Sequence, residues 1–473
     1  MTASGNDAAP ISISDLVRRT ARTTPDATAL VDGTNRLSWA ELDARATSAA
    51  LALREAGLDD GDRVVLQLGT GVDFVAFYLG AGRAGLITVP ANPAYTAPEL
   101  QHVLDDSGAR LLVTPETVPP GVAGDDPHRD RTGEDIAVLL YTSGTSGLPK
   151  GAMLSSRALL ANLAQMGAVD PPLIAGDDVV FLPLPLFHVF ALNVGLGMAL
   201  YAGATTVLAE RFDAVEALYA MAANRVSVVV GAPGMFVQWA RHDLGAVFAS
   251  VRYALSGSAP LAPALAREYA TRGITLYEGY GLTEAAPAVT WNRAGKPGSI
   301  GTPLPGVEIQ RRDADGSPVT EDDDPGELVV RGPNLFSGYW PIGDGGPDAD
   351  GWFATGDIAV RDDDGDLLLV GRSSELVLVN GFNVYPAEVE SVLRVQPGVA
   401  EVAVVGADDP ETGEAVVAYV VPVAGAALDP ERLVTAAAGS LAKFKLPRDV
   451  QIVDELPHTV TGKVMKWRLR TTA

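Results

Sequence analysis

The chain has 473 residues, a formal net charge of −24 and no cysteine. A chain of this length exceeds a single ordinary hydrophobic core, so we expect two or more domains. The strong negative charge argues against nucleic acid as the main partner. The lack of cysteine excludes disulfides, thiolate metal sites and a cysteine nucleophile, and it fits a cytoplasmic protein.

The first half of the chain predicts alternating strands and helices. Capping boxes at Ser38 to Glu41 and Thr96 to Glu99 mark the starts of two helices. Short apolar strands are expected near them, for example at 64–68 and 87–89. Strands that alternate with helices favour an α/β fold with a mainly parallel sheet.

One uncharged stretch, residues 189–209, is long enough to raise the question of a membrane span. Gly203 divides it into a helix-like half and a short strand at 205–208, so we predict a buried helix–turn–strand unit instead. Residues 1–16 contain no basic region followed by an apolar run, and no secretory signal is predicted there.

The pattern changes in the last third of the chain. From Gly298 onward, short alternating segments separated by turns predict a small barrel-like β unit. We expect a domain boundary after residue 371, which gives a large domain at 1–371 and a small α+β domain at 372–473 with a helix at 386–394. The segment 446–470 is predicted to be basic and loop-like.

The strongest chemical signal is the stretch YTSGTSGLPKG, residues 141–151, which follows a buried strand. Glycines let backbone N–H groups approach an anion, hydroxyls donate hydrogen bonds to phosphate oxygens, and a lysine adds a mobile positive charge. The common P-loop pattern is not matched. A flexible linker is the alternative, but it needs neither the preceding strand nor the Pro-Lys-Gly end. The predicted phosphate-binding residues are Thr142, Ser143, Gly144, Thr145, Ser146, Gly147 and Lys150.

Further polar residues suit a nucleotide site. Glu284, in the run Tyr280-Gly-Leu-Thr-Glu, can ligate Mg²⁺, and Thr283 can donate to a phosphate. Asp357 can accept both ribose hydroxyls, and Arg372 can pair with ribose or phosphate. Taken singly, each of these residues also fits an ordinary surface turn or salt bridge.

Together these stretches resemble the adenylate-forming superfamily, which contains acyl-CoA synthetases, luciferases and the adenylation domains of peptide synthetases. The segment 141–151 is similar to the signature loop of that family. Other pieces occur in the family's order and span most of the chain: Leu184 to His188, Tyr280 to Glu284, Gly351 to Asp357, Gly371 with Arg372, and Thr461 to Lys463.

The resemblance implies roles for residues that the pattern alone would not single out. It implies that Lys463 bridges the carboxylate and the α-phosphate, and that His188 lies beside the carboxylate being activated. The further nucleotide-binding residues that it implies are Ser256, Gly257, Ser258, Glu278, Gly279, Tyr280 and Gly281. The implied CoA-binding residues are Gly381, Phe382, Asn383, Lys443 and Lys445. The implied acyl pocket contains His188, Val189, Asn193, Gly231, Gly281 and Ala286.

The implied function is an ATP-dependent carboxylic acid–CoA ligase that forms an acyl-adenylate from a fatty or aryl acid, with ATP, Mg²⁺ and coenzyme A. An enzyme that delivers the acyl group to a carrier protein, or that activates a small acid such as nitrite, is the alternative within the family. A noncatalytic nucleotide-binding protein is the alternative outside it. Ser374 departs from the family, which usually has Asp or Lys at this hinge position.

Overall fold

The computed structural model describes residues 11–127, 132–142, 149–313, 315–322, 324–380, 382–458 and 464–470. The chain packs into two compact units. The first contains Met1–Glu308 and Val330–Phe353, and the second contains Ile309–Val329 and Ala354–Ala473. This division follows packing; the division into family domains after residue 371 stays a prediction.

A large sheet with a parallel centre forms the middle of the first unit. Its inner strands pair in parallel, and antiparallel strands close both edges. In spatial order, the nine strands that the described residues place in it are Thr302–Pro303, Ala288–Trp291, Leu276–Gly281, Tyr253–Ser256, Val228–Gly231, Val179–Leu182, Thr205–Leu208, Thr28–Asp32 and Asn35–Ser38.

A smaller sheet of the same unit carries the glycine-rich stretch. The described strands pair in the order Leu111–Val113, Arg63–Leu66, Ile87–Pro90, Ile136–Thr142 and Lys150–Ser155. All neighbours are parallel except the last pair. The predicted α/β class with a mainly parallel sheet is therefore confirmed.

Helices cover the sheets of the first unit. Both predicted capping boxes are present, and at Ser38 the hydroxyl accepts from the Glu41 N–H while the Glu41 carboxylate accepts from the Ser38 N–H. The α-helices are Ile13–Thr23, Trp39–Glu55, Val72–Arg83, Ala97–Ser107, Ser156–Gly167, Met198–Ala202, Ala214–Asn224, Pro233–Trp239, Gly245–Phe248 and Pro263–Thr271.

The uncharged stretch 189–209 is a buried helix–turn–strand unit, as predicted. A wide π-type helix, Phe190–Gly197, leads into the helix Met198–Ala202, and Gly203 ends it at φ +76°. The strand Thr205–Leu208 follows and pairs inside the large sheet. In the part of the chain that the structure describes, no helix is both long enough and apolar enough to cross a membrane.

The second unit contains two sheets in which most of the neighbouring strands are antiparallel. The described strands of one are Glu308–Arg312, Gly326–Arg331, Phe353–Arg361 and Leu367–Arg372, where the small β unit was predicted. The described strands of the other are Phe382–Val384, Val377–Val379, Gly413–Pro422, Val399–Asp409 and Asp449–Ile452. The helices are Pro386–Arg394, Pro430–Ala437 and Lys466–Arg470.

The expectation that 446–470 is loop-like is wrong in two places. Asp449–Ile452 pairs in parallel with Gly413–Pro422, and Lys466–Arg470 is a short helix. The strand was missed because it is short, and only Val450 of its side chains is buried in the core of this unit. A pattern of hydrophobic residues that is this brief carries little signal.

Candidate active site

The carboxyl ends of neighbouring parallel strands bring several predicted residues to one edge of the large sheet. Gly231, at the end of its strand, is the register partner of Ser256, and Ser256 is the partner of Glu278 on the next strand. Ligands of open α/β sheets bind at this edge, outside the strand ends. The site candidates from three separate motifs are therefore adjacent because of the sheet topology.

The predicted nucleotide-binding segment Ser256 to Ser258 has little room for larger residues. A Cβ atom added to Gly257 would lie 2.7 Å from the ring of Phe190, which is closer than real contacts allow. The Ser256 hydroxyl is buried and has no hydrogen-bond partner among the described residues. Ser258 is exposed and has φ +69°, an unusual conformation for a residue with a side chain.

Glu278 is buried, and its carboxylate binds the backbone just after this segment. Its Oε1 accepts a hydrogen bond of 2.9 Å from the backbone N–H of Leu261. Burial raises the pKa of Glu278 to about 7, and the hydrogen bond from Leu261 opposes that rise. Along the same strand Tyr280 is also buried, at 8% exposure, whereas Gly279 and Gly281 lie on the opposite face. The nucleotide-binding role of Tyr280 stays a prediction.

Glu284 lies in the short helix Thr283–Ala285 and meets a residue that was not predicted. The Tyr339 hydroxyl donates a hydrogen bond of 2.6 Å to Glu284 Oε1. The ammonium of Lys150 lies 5.6 Å from the centre of the Tyr339 ring, within cation–π range. The structure thus links the predicted phosphate-binding lysine and the predicted metal-binding carboxylate through one tyrosine.

The glycine-rich stretch begins and ends on paired strands. Thr142 and Lys150 are register partners in the antiparallel pair Ile136–Thr142 and Lys150–Ser155. Residues 143–148 lie outside the described chain, and with them five of the predicted phosphate-binding residues: Ser143, Gly144, Thr145, Ser146 and Gly147. Their roles stay predictions.

His188 follows the strand Val179–Leu182 in a largely apolar environment. Its ring lies 4.7 Å from that of Phe187, and its Nε2 atom is buried without a hydrogen-bond partner among the described residues. Burial lowers the pKa of His188 to about 4. The imidazole is therefore neutral near pH 7 and has one ring nitrogen available for a ligand.

The other predicted acyl-pocket residues are close-packed. Val189, Gly231 and Ala286 are buried, and Asn193 is fully buried. Asn193 donates from Nδ2 to the carbonyls of Ala286, at 2.7 Å, and of Leu159, at 3.2 Å. A Cβ atom on Gly281 would lie 2.2 Å from the Pro287 carbonyl oxygen, so no other residue fits there without a backbone shift.

In the second unit, the predicted ribose-binding pair is preassembled. Asp357 and Arg372 are register partners on adjacent strands, and Arg372 Nε lies 2.8 Å from Asp357 Oδ1. Asp357 is buried, whereas Arg372 is partly exposed. The guanidinium therefore holds the carboxylate in a defined orientation, as a site for two hydroxyls requires.

One of the predicted CoA-binding residues of the second unit, Phe382, belongs to a stacked aromatic pair. The rings of Phe382 and Phe444 stack with centres 4.8 Å apart, and Phe382 is 57% exposed. Lys445 is held by both carboxylate oxygens of Glu388 at 2.7 Å, so its charge is already compensated. Lys443 and Asn383 are exposed. Gly381 lies outside the described residues.

Lys463 also lies outside the described residues, but the chain on either side of it is fixed. The N–H of Met465 donates to the Pro457 carbonyl at 2.7 Å, and His458 and Val464 form a bridge. Lys466 is ion-paired with Glu375 at 2.7 Å and Glu390 at 2.8 Å. The helix Lys466–Arg470 is thus ion-paired with Glu375, the residue directly after the predicted hinge residue Ser374.

Sequence reasoning missed Tyr339 and two buried amides, Asn162 and Asn334, which lie close to the predicted residue Asn193. Asn162, Asn193 and Asn334 donate to carbonyls of residues 285–288, just behind Glu284. Nothing local in the sequence marks these amides, because their partners lie far away along the chain. A signal for Tyr339 exists in the run Ser337-Gly-Tyr-Trp340, where a glycine precedes two aromatic residues.

Mg²⁺ fits this site as a partner of nucleotide phosphates. Glu284 Oε1 is occupied by Tyr339, while Oε2 has no partner among the described residues. The described chain contains no group of three metal-ligating side chains. Mg²⁺ is typically held by one or two carboxylates together with substrate phosphates and water, which agrees with a single carboxylate here.

Comparison with known proteins covers almost the whole chain. The AMP-binding enzyme family model matches residues 17–131 and 116–340, and the AMP-binding enzyme C-terminal domain model matches 388–463. The feruloyl-CoA synthase of Amycolatopsis sp is 38% identical over 483 residues, covering 96% of this chain and 97% of that protein. The long-chain-fatty-acid–CoA ligase of Yersinia pestis is 33% identical over 504 residues, covering 92% and 89%.

Comparison with solved structures identifies the same kind of protein as the sequence comparison. The crystal structure of ATP-bound MatB from Rhodopseudomonas palustris matches with a TM-score of 0.90 at 33% identity, covering 97% of this chain and 98% of that one. Sequence, fold and arrangement of the predicted motifs therefore point to the same group of proteins. The chain belongs to the AMP-binding enzyme family, among its adenylate-forming acid–thiol ligases.

Proposed function

We propose that this protein joins a hydrophobic carboxylic acid, aryl or fatty, to coenzyme A through an acyl-adenylate. The observation that carries the proposal is the linked set Lys150, Tyr339 and Glu284 beside the strand edge where the nucleotide-binding candidates meet. It offers an ammonium for phosphate oxygens and a carboxylate for a hard cation. The relatives named for feruloyl-CoA and long-chain fatty acids support the acid class.

In the first half-reaction, a carboxylate oxygen of the acid attacks the α-phosphorus of ATP, and the bond to pyrophosphate breaks. Lys150 and Thr283 bind phosphate oxygens, and Lys463 stabilises charge at the α-phosphate. Mg²⁺, bound through Glu284, would neutralise phosphate charge. In the second half-reaction, the CoA thiolate attacks the acyl carbon and AMP leaves. Catalysis rests on positioning and charge stabilisation.

His188 is proposed to orient the acid. Because its imidazole is neutral and its Nε2 is unpartnered in an apolar setting, it can donate one hydrogen bond to the carboxylate without a fixed charge. The apolar neighbours Phe187 and Val189 favour the hydrocarbon part of the substrate. The exposed ring of Phe382, stacked on the partly buried Phe444, offers a stacking surface for the base of CoA.

The test is product formation with ferulate, a long-chain fatty acid and short-chain acids as separate substrates. We expect acid-dependent pyrophosphate release, and a thioester detected by mass when CoA is added. Adenylate without thioester, for every acid that is adenylated, would replace CoA by a carrier protein or another nucleophile. Binding of ATP without pyrophosphate release for any acid would favour the noncatalytic alternative.

A histidine pair tests the acid-binding role. His188→Leu, which has no hydrogen-bond donor, should raise KM for the acid about tenfold, the cost of one lost hydrogen bond, and leave ATP affinity unchanged. His242→Leu is the matched control, because His242 is partly exposed and lies in a turn after the helix Pro233–Trp239. Equal KM values for the acid in both variants would remove His188 from the proposed site.

A further inference from the structure

The segment 336–340 connects the strand that carries Lys150 to the short helix that carries Glu284. At one end, the Phe336 N–H donates to the Glu284 carbonyl at 2.8 Å, and at the other, the Trp340 N–H donates to the Gly151 carbonyl at 2.8 Å. Between them, Ser337 and Gly338 exchange backbone hydrogen bonds with Met153. The segment therefore has a fixed position relative to both charged residues.

Tyr339 is the residue of this segment whose side chain contacts both charges. Its hydroxyl donates to Glu284 Oε1 at 2.6 Å, and its ring faces the Lys150 ammonium. The ring is held edge-on by Phe336, with centres 5.1 Å apart, and the backbone is held by the Tyr339 N–H bond to the Asp344 carbonyl.

We propose that Tyr339 is a positioning residue for the magnesium–nucleotide complex. Its hydroxyl fixes one oxygen of Glu284, and Oε2, which has no partner among the described residues, can then meet the cation in a single orientation. Its ring holds the Lys150 ammonium beside the same tyrosine that contacts Glu284. A carboxylate anchored in this way loses less rotamer freedom when it binds, so the anchor strengthens binding. This inference rests on the proposed roles of Glu284 and Lys150.

The test compares two tyrosines whose hydroxyls donate hydrogen bonds of equal length to different acceptors. Tyr339→Phe keeps the ring beside Lys150 and removes the hydroxyl. Tyr269→Phe is the matched control, because the Tyr269 hydroxyl donates at the same distance, 2.6 Å, to the Phe236 carbonyl in the core. The readouts are the thermal unfolding midpoint and the affinity for a nonhydrolysable ATP analogue, measured by calorimetry with and without Mg²⁺.

We expect Tyr339→Phe to weaken analogue binding about tenfold with Mg²⁺, in line with the loss of a hydrogen bond to a charged group. Without Mg²⁺, the variant and the wild type should bind equally. Tyr269→Phe should lower the unfolding midpoint and leave the magnesium response intact. A magnesium response of Tyr339→Phe within twofold of the wild type, or a loss of equal size with and without Mg²⁺, overturns the proposal.

Glu284→Gln separates this inference from the proposed function. If Glu284→Gln loses the magnesium response, the metal role of Glu284 holds, and Tyr339→Phe added to it should cause no further loss. Additive losses in the double variant would mean that Tyr339 does not act through Glu284. If Glu284→Gln keeps the full magnesium response, the metal assignment itself is wrong, and the positioning role of Tyr339 falls with it.

Discussion

Asn193 donates a hydrogen bond of 2.7 Å to the carbonyl of Ala286, two residues after Glu284. Ala286 adopts φ +62°, a left-handed conformation that disfavours a residue with a Cβ atom by about 1 kcal/mol. Both residues were predicted for the acyl pocket, and the structure brings them into direct contact. Asn193 therefore stabilises the strained backbone that follows the predicted metal-binding residue.

Asn193→Ala should destabilise the protein by about 1–3 kcal/mol, because it leaves the buried Ala286 carbonyl without its side-chain donor. Asn224→Ala is the matched control: its Nδ2 donates at 2.9 Å to the Ala220 carbonyl within a partly exposed helix. The measurement is urea unfolding followed by circular dichroism. Equal losses in the two variants would contradict the claim that Asn193 is a structural anchor.

Gly281→Ala should impair the site because the added Cβ would lie 2.2 Å from the Pro287 carbonyl oxygen. Backbone atoms cannot move aside cheaply, so we expect a loss of about 2 kcal/mol or more in stability, with weaker nucleotide binding. Gly234→Ala is the control, since nothing lies within 4 Å of its added Cβ and it sits in the helix Pro233–Trp239. That variant should be neutral or slightly more stable.

An unchanged unfolding midpoint in Gly281→Ala, with unchanged affinity for ATP, would show that the turn from Gly281 to Pro287 can rearrange. The close packing seen here would then not be a constraint on this position.

The sequence predicted the fold class well because its signals are local. The capping boxes at Ser38 and Thr96 and the break at Gly203 each act within a few residues, and each is present in the structure. The strand Asp449–Ile452 was missed because its pairing with Gly413–Pro422 is set by tertiary contacts. Local pattern carries no information on such contacts.

The site was predictable only where motifs are continuous in sequence. Glu284 and Lys150 stand out in their own motifs, whereas Tyr339 joins them through a hydroxyl and a ring that come from a distant segment. The salt bridge of Asp357 with Arg372 was likewise invisible, although both residues were named, because it depends on strand register.

Glu278→Gln should stabilise the protein at alkaline pH and have a much smaller effect at pH 5. The pKa of Glu278 is raised from its usual value to about 7, so the folded state holds a proton that the unfolded state releases. That contribution to stability is fully present below about pH 4.5 and is lost as pH rises through 7. Gln resembles the protonated form and keeps an acceptor for Leu261.

We expect the difference in unfolding free energy between Glu278→Gln and the wild type to grow by about 2 kcal/mol from pH 5 to pH 8. Urea unfolding at both values measures it. A difference that does not change with pH would mean that Glu278 is ionised in the folded protein at both values.

His188 should have the opposite pH dependence. Its pKa is lowered to about 4, so the unfolded state takes up a proton at a pH where the folded state does not. The contribution of the neutral imidazole to the free energy of unfolding is fully present above about pH 6.5, and it is lost as pH falls towards 4. His188→Gln should remove this loss, about 2 kcal/mol between pH 7 and pH 5. Parallel stability curves for wild type and His188→Gln would contradict a buried neutral imidazole.

The central claim, that the acid is activated as an adenylate, is tested most directly by following oxygen. The acid is supplied with both carboxylate oxygens replaced by the heavy isotope, together with ATP, Mg²⁺ and CoA, and the AMP released is analysed by mass. If the carboxylate attacks the α-phosphorus, AMP carries one heavy oxygen and the thioester keeps the other. Thioester accompanied by unlabelled AMP would contradict the acyl-adenylate route and the account of the site built on it.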